Sequence, residues 1–274
     1  MTEDPLAPLL AHFKAQARLF YSGNLCGDVT FGDELGTGFL HLLKAGSIQM
    51  QDSSGYAVTL TEPTLVFYSR PLQHRFHVDP NNGADLVCAS MRFEHMAFNP
   101  ILLALPERFE CPLSALKGTE TLLELLFSEA FDVRPGRQEV LDRLFEILLI
   151  DVLRVVLARE ETAPGLFRSL LHPQISKALN AIHKDPGQDW SLEALANFAG
   201  MSRSSFAAVF KQEVGDTPGN YLTRWRIILS QALIREGVPL KLVAERVGYD
   251  SQAGFLRAFK IVMGQSPTSW KTSQ

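Results

Sequence analysis

The chain has 274 residues, 46% hydrophobic and 20% charged, with a net charge of −4. That length and apolar content suit two domains with ordinary cores. Three scattered cysteines, Cys26, Cys88 and Cys111, exclude a disulfide framework or zinc cluster and argue for a reducing compartment.

The opening "MTEDPLAPLLAHF" has no basic region ahead of an apolar one, so no secretory signal is expected. It reads as a short helix-like start. Residues 25–93 follow as short apolar runs ended by turn signals: "FLHLL" by "AGS", "YAVTL" by "TEP", "TLVFY" by "SRP", with "DLVCASMRF" after "DPNNGA". Such spacing predicts a small antiparallel sandwich or barrel. From 119 the period changes. "TETLLELLFSEAF" and "RQEVLDRLFEILLIDVLRVVLARE" read as helices separated by "DVRPGR". The second repeats Leu141, Leu144, Phe145, Leu148, Leu149, Val152 and Val156 at steps of three and four. A stripe this wide is expected to serve both packing and a dimer seam. Its most apolar part, 144–158, carries Glu146, Asp151 and Arg154, which excludes a membrane span. A cytoplasmic protein is expected.

"ETAPG" (161–165) marks the boundary between halves. The charge divides there too. Residues 168–274 hold 13 Lys and Arg against 8 Asp and Glu, a balance of +5, which leaves −9 for the rest.

Beyond the boundary the chain repeats itself. "FAAVFKQEVGDTPGNY" (206–221) returns 49 positions later as "FLRAFKIVMGQSPTSW" (255–270). Ser191 is placed to cap a helix burying Leu192, Leu195 and Ala196; a turn holding Gly200 follows, and Ser202 caps a second helix. Phe206, Val209 and Phe210 form the apolar face of that helix, opposite Arg203, Ser204, Ala207, Ala208 and Lys211. In the second copy Leu240, Val243 and Ala244 precede Gly248, and Phe255, Ala258, Phe259 and Val262 line the next helix. Gln252, Ala253, Leu256, Arg257 and Lys260 are left outside. Each copy is a helix-turn-helix whose second helix suits a major groove. Between them, Thr217 caps, Pro218 begins and Gly237 ends a linking helix. About 18 residues at 1.5 Å span roughly 27 Å, the right order for successive grooves about 34 Å apart.

Residues 173–272 resemble the DNA-binding domain of the AraC/XylS family of bacterial transcription regulators. "LANFAGMSRSSFAAVFKQEVGDTPGNYLTRWRI" and "VAERVGYDSQAGFLRAFKIVMGQSPTSW" match its two modules almost position for position. A looser resemblance to the family's cupin-like sensor barrel rests on "GFLHLLKAGSIQM", the turn at Glu62-Pro63 and "RPLQHRF". The implied fold class is α+β: a cupin-like domain at 1–117, a helical linker and dimerisation segment at 118–165, and the two-module domain at 166–274. The implied partners are promoter DNA, RNA polymerase, a small-molecule effector and a second copy of the chain, with no membrane and no cofactor. The DNA-facing positions are Arg203, Ser204, Ala207, Ala208, Lys211, Ser251, Gln252, Ala253, Leu256, Arg257 and Lys260. Arg and Gln can read base edges, whereas Lys mainly neutralises phosphate.

For the effector the candidates are His41, Arg70, His74 and Arg75, with Arg70, His74 and Arg75 placed at the barrel mouth to hold an anion. A metal site is not expected. His74 and His77 are three apart and face opposite ways on one strand, and His41 stands alone. No catalytic residues are expected. Two alternatives remain: a cupin-type metal enzyme fused to the DNA-binding domain, and a regulator whose barrel only dimerises.

Overall fold

The computed structural model describes residues 6–12, 14–32, 37–93, 99, 101–102, 105–158, 169 and 172–272. The chain divides into two compact units, one of Phe13–Ala163 and one of Met1–His12 with Pro164–Gln274.

The first unit is a two-sheet barrel. Its strands are β1 Ala15–Leu25, β2 Gly27–Phe31, β3 Thr37–Gly46, β4 Ile48–Asp52, β5 Ala57–Leu60, β6 Thr64–Tyr68, β7 His74–Val78, β8 Ala84–Phe93 and β9 Arg108–Pro112. One sheet runs β1-β8-β3-β6-β9 and the other β2-β7-β4-β5, with every pairing antiparallel. Alternate side chains fill the space between the sheets: Phe39 and Leu43, Ile48 and Met50, Val66 and Tyr68, Phe76 and Val78, Leu86 and Cys88. This is the period of two that a pleated strand imposes. β3 is buried from Thr37 to Leu43, so both of its faces are covered.

Two helices follow, α2 Glu120–Phe131 and α3 Arg137–Ala158, which pack on each other and on β1. Leu141, Leu144, Phe145, Leu148, Leu149, Val152 and Val156 are all buried within this unit, leaving Val140 and Ile147 exposed on α3. The stripe expected to be shared with a dimer seam is therefore interior packing.

β1 fell between the helix-like start and the run of strands read from residue 25 onward. Its register shifts between Leu19 and Tyr21, and that bulge breaks the alternation a strand needs to be recognised. The helix α1, Ala7–His12, belongs to the second unit and packs on its helix α4, Ile175–Lys184. Leu6 and Leu9 are buried there, and two leucines in a short segment do not announce their partner.

The second unit continues with α5 Leu192–Ala199, α6 Arg203–Val214, α7 Pro218–Arg235, α8 Leu240–Arg246, α9 Gln252–Met263 and α10 Pro267–Thr272. The local signals operate as expected. Ser191, Ser202, Thr217 and Ser251 each accept a bond from the third backbone N–H of the helix they precede. Gly200 ends α5 at φ 68°, a left-handed conformation that suits glycine.

Candidate nucleic-acid interface and barrel interior

The two helix-turn-helix modules, α5–α6 and α8–α9, share α7 as a spine. Towards its start, Tyr221 donates to or accepts from His183 Nε2 at 2.6 Å, and Trp225 stacks on the same imidazole at 4.1 Å. Towards its end, Ile227 and Ile234 join Val243, Phe255, Phe259 and Trp270 in one core. α6 buries Phe206 and Phe210 and α9 buries Phe255 and Phe259, which fixes what each helix turns outward.

On α6, Arg203, Ser204, Ala208 and Lys211 are exposed and Ala207 is half-buried. On α9, Ser251, Gln252, Ala253, Arg257 and Lys260 are exposed and Leu256 is half-buried. The exposed positions lie away from the core on both helices, whereas Leu256 packs partly against it. Ser251 also spends its hydroxyl oxygen on the Gly254 N–H at 3.2 Å, so capping is part of its work. Ile261, beside Lys260, is 79% exposed and was not singled out by sequence; an apolar residue on a polar helix face gives no periodic signal. The faces differ in chemistry. Besides one lysine each, α9 offers Gln252 and Arg257, while α6 offers one arginine and a run of small residues.

The barrel interior holds something that spacing could not show. His41 and His74, from opposite sheets, face each other with their Nε2 atoms 2.8 Å apart. His74 Nδ1 lies 2.7 Å from the Leu72 carbonyl, which can only accept, so Nδ1 carries the proton. The neutral His74 ring then accepts at Nε2 and His41 donates. That leaves His41 Nδ1 a bare acceptor, buried and without a partner among the described residues, as is the Tyr68 hydroxyl. Phe31 lies 4.8 Å from the His41 ring and Tyr68 stacks on His74 at 4.0 Å. Burial pulls His74 down to about 4, and burial together with the neighbouring His74 holds His41 well below the ordinary histidine value. Both rings are neutral at pH 7.

The four expected effector residues do not share one site: His41 and His74 meet inside the barrel, and Arg70 and Arg75 lie apart from them. β7 alternates, sending His74, Phe76 and Val78 inward and Arg75 and His77 outward. Arg75 lies on the outer face of its sheet, 3.0 Å from Asp28, which also accepts from His77 at 2.7 Å. They line an outer cleft of about 470 Å³ with Gln49, Gln51 and Thr59. Arg70 donates to the Leu102 carbonyl at 3.1 Å and lies 3.5 Å from Glu107. The expected anion grip at the barrel mouth is thus taken apart. His74 is inside, Arg75 outside, and each arginine already faces a carboxylate.

A barrel with covering helices followed by two linked helix-turn-helix modules defines a DNA-binding transcription regulator with a cupin-like first domain. A cupin family model matches residues 4–158, and a helix-turn-helix domain model matches residues 195–273. The chain belongs to the AraC-type transcription regulators that carry a cupin domain ahead of their helix-turn-helix pair. It is similar to the RCS-specific HTH-type transcriptional activator RclR of Escherichia coli (strain K12), at 31% identity over 84% of this chain and 83% of that protein. It is also similar to the HTH-type transcriptional regulator AlkR of Acinetobacter baylyi, at 35% identity over 65% of this chain and 59% of that protein. Among solved structures it is similar to the C-terminal domain of AraT, a response regulator from Geobacillus stearothermophilus. That similarity is 35% identity over 37% of this chain and 86% of that chain, with a TM-score of 0.36. Among the described residues, no helix is long and apolar enough to cross a membrane.

Proposed function

We propose that this DNA-binding regulator is controlled by a small effector taken up inside the barrel, where His41 and His74 are its polar handles. The observation that carries the reading is the buried, unpartnered His41 Nδ1 beside an imidazole pair in an aromatic box. An unsatisfied buried acceptor costs about 1–3 kcal/mol, which a ligand donor would recover. The effector is a small ring or chain with one hydrogen-bond donor. Promoter response measured in cells across a panel of candidate metabolites tests this. His41→Leu is expected to abolish the response, while the double variant Arg70→Ala/Arg75→Ala keeps it. The opposite result would move the effector to the outer cleft.

In this reading the protein acts as a homodimer at promoters, engaging RNA polymerase from the DNA-bound state. Support for pairing comes from Val140 and Ile147, seven residues apart on α3, and Leu125 on α2, all at least 40% exposed.

The DNA contacts are Arg203, Ser204, Ala207, Ala208 and Lys211 in the first module, and Ser251, Gln252, Ala253, Leu256, Arg257 and Lys260 in the second. Lys211→Ala and Lys260→Ala are expected to weaken all sequences alike and lower the salt slope by about one charge each. Arg257→Ala should instead relax preference at one base position, a bidentate contact being worth about 1–3 kcal/mol of discrimination. Binding selections on randomised DNA at two salt concentrations separate the two behaviours. Loss of base preference in Lys260→Ala but not in Arg257→Ala would reverse the roles.

A further inference from the structure

We infer that Arg226 is a positioning residue that sets the register between the two recognition helices, so that the protein demands one fixed spacing between the two halves of its DNA site. The inference rests on the two-module DNA reading above.

Arg226 sits midway along α7, the helix shared by both modules. Its Nε donates to the Pro186 carbonyl and its Nη2 to the Gln188 carbonyl, each at 2.8 Å. Both carbonyls belong to the loop between α4 and α5, at the entrance to the first module. The same guanidinium lies 5.5 Å from the Tyr249 ring, in the turn between α8 and α9 of the second module. Ser251, which caps α9, is two residues further on. One side chain thus holds the loop that launches the first module and the turn that launches the second recognition helix.

The joint is close-fitting. A Cβ at Gly248 would lie 2.7 Å from Arg226 Nη2 and 2.7 Å from the Gly187 carbonyl oxygen, and its φ of 84° suits glycine. The loop that leads into the first module therefore approaches the second module closely at Gly187 and Gly248, with the guanidinium beside Gly248. The loop is itself braced, because the Gln188 carbonyl also accepts from the Trp190 N–H at 2.9 Å and the Asp185 carbonyl accepts from Trp190 Nε1 at 2.7 Å. Burial disfavours the charge on Arg226, and Tyr249, Asp189 and Asp250 act against that loss. A half-buried charge retained at a joint between modules has a geometric use: the planar fork bonds two carbonyls at once, which a lysine cannot do.

Without this brace, α7 still links the modules, because each core holds its own half of the helix. What is lost is the fixed angle between α6 and α9. Half-site spacing is a geometric property of the protein, so loosening the angle broadens spacing rather than changing which bases are read.

The test uses the full chain and a DNA library in which the two halves of the selected site are separated by spacers from two base pairs shorter to two longer. Wild type is expected to lose about tenfold in retention for a one-base-pair shift, and Arg226→Ala and Arg226→Lys less than about threefold, with each half-site consensus unchanged. Gly248→Ala, which wedges the same joint without altering charge, is expected to behave alike. A second readout needs no DNA: spin labels at Gln212 and Ile261, in a Cys26→Ser background, should give a broader distance distribution in Arg226→Ala. Variants that keep the wild-type spacing and the narrow distribution overturn the inference. A uniform loss of affinity at every spacing would make Arg226 a stabilising residue only, which also overturns it. If wild type itself retains no DNA, the DNA-binding reading fails instead.

Discussion

Lowering the pH from 7 towards 4.5 is expected to unfold the barrel while the helix-turn-helix unit is still folded. His41 and His74 are neutral in the folded barrel, and both titrate below the ordinary value of 6.5 because they are buried. The unfolded chain takes up these protons near pH 6.5, whereas in the folded barrel His74 resists until about pH 4 and His41 is held well below its ordinary value. Stability is therefore full above pH 6.5 and falls as the pH drops through the window between the two values. For His74 alone, the shift to about 4 corresponds to about 3 kcal/mol of lost stability. His41 acts in the same direction. All three tryptophans, Trp190, Trp225 and Trp270, lie in the second unit. Tryptophan fluorescence therefore follows that unit, while loss of far-UV strand signal follows the barrel. Urea titrations at pH 7.5, 6.5, 5.5 and 4.5 should show the strand midpoint moving down and the tryptophan midpoint moving less. In the double variant His41→Leu/His74→Leu the strand midpoint should move little between pH 6.5 and 4.5. An unchanged slope in that variant would mean that other groups carry the acid sensitivity.

The same pair shows where sequence reasoning stops. The modules of the second unit were legible because their signals are local: a capping serine, a glycine in the turn, two phenylalanines four apart. Duplication then supplied each signal twice. The barrel was legible as a class, from runs and turns, but its contents were not. His41 and His74 are 33 residues apart and meet only because β3 and β7 belong to opposite sheets. Comparing His74 with His77 along one strand correctly placed them on opposite faces, yet the partner was across the barrel. Arg70, His74 and Arg75 were grouped by closeness in sequence, and strand alternation separated them. Arg226 was invisible for another reason. Its partners are backbone carbonyls, which every residue has, so no residue type marks them.

The second large effect is expected at Arg108. The Asp52 side chain is wholly buried, and Arg108 Nη1 reaches its Oδ2 at 2.5 Å. Burial alone would push that carboxyl up; bonds from Ser54 and Arg108 outweigh it and hold it below the usual value. Arg108 also bonds Glu110 at 2.9 Å and lies over the Tyr56 ring at 3.4 Å. Through these contacts β9, at the edge of one sheet, is joined to the β4–β5 turn of the other. Arg108→Ala leaves a buried carboxylate without its cation, and breaking such a pair costs about 3 kcal/mol or more. Asp52→Asn on top of Arg108→Ala removes the stranded charge and should recover part of the loss. Additive losses in that double-variant cycle, or a single-variant loss within about 0.5 kcal/mol, would show that water already screens the pair, since Arg108 is 24% exposed. Asp52 is also the register partner of His74, and its charge favours protonated His74. Removing Arg108 therefore raises the folded pKa of His74 towards the unfolded value. The Arg108→Ala barrel should be weaker at pH 7 and lose less of what remains between pH 6.5 and 4.5, because one of its two buried imidazoles no longer resists its proton as strongly.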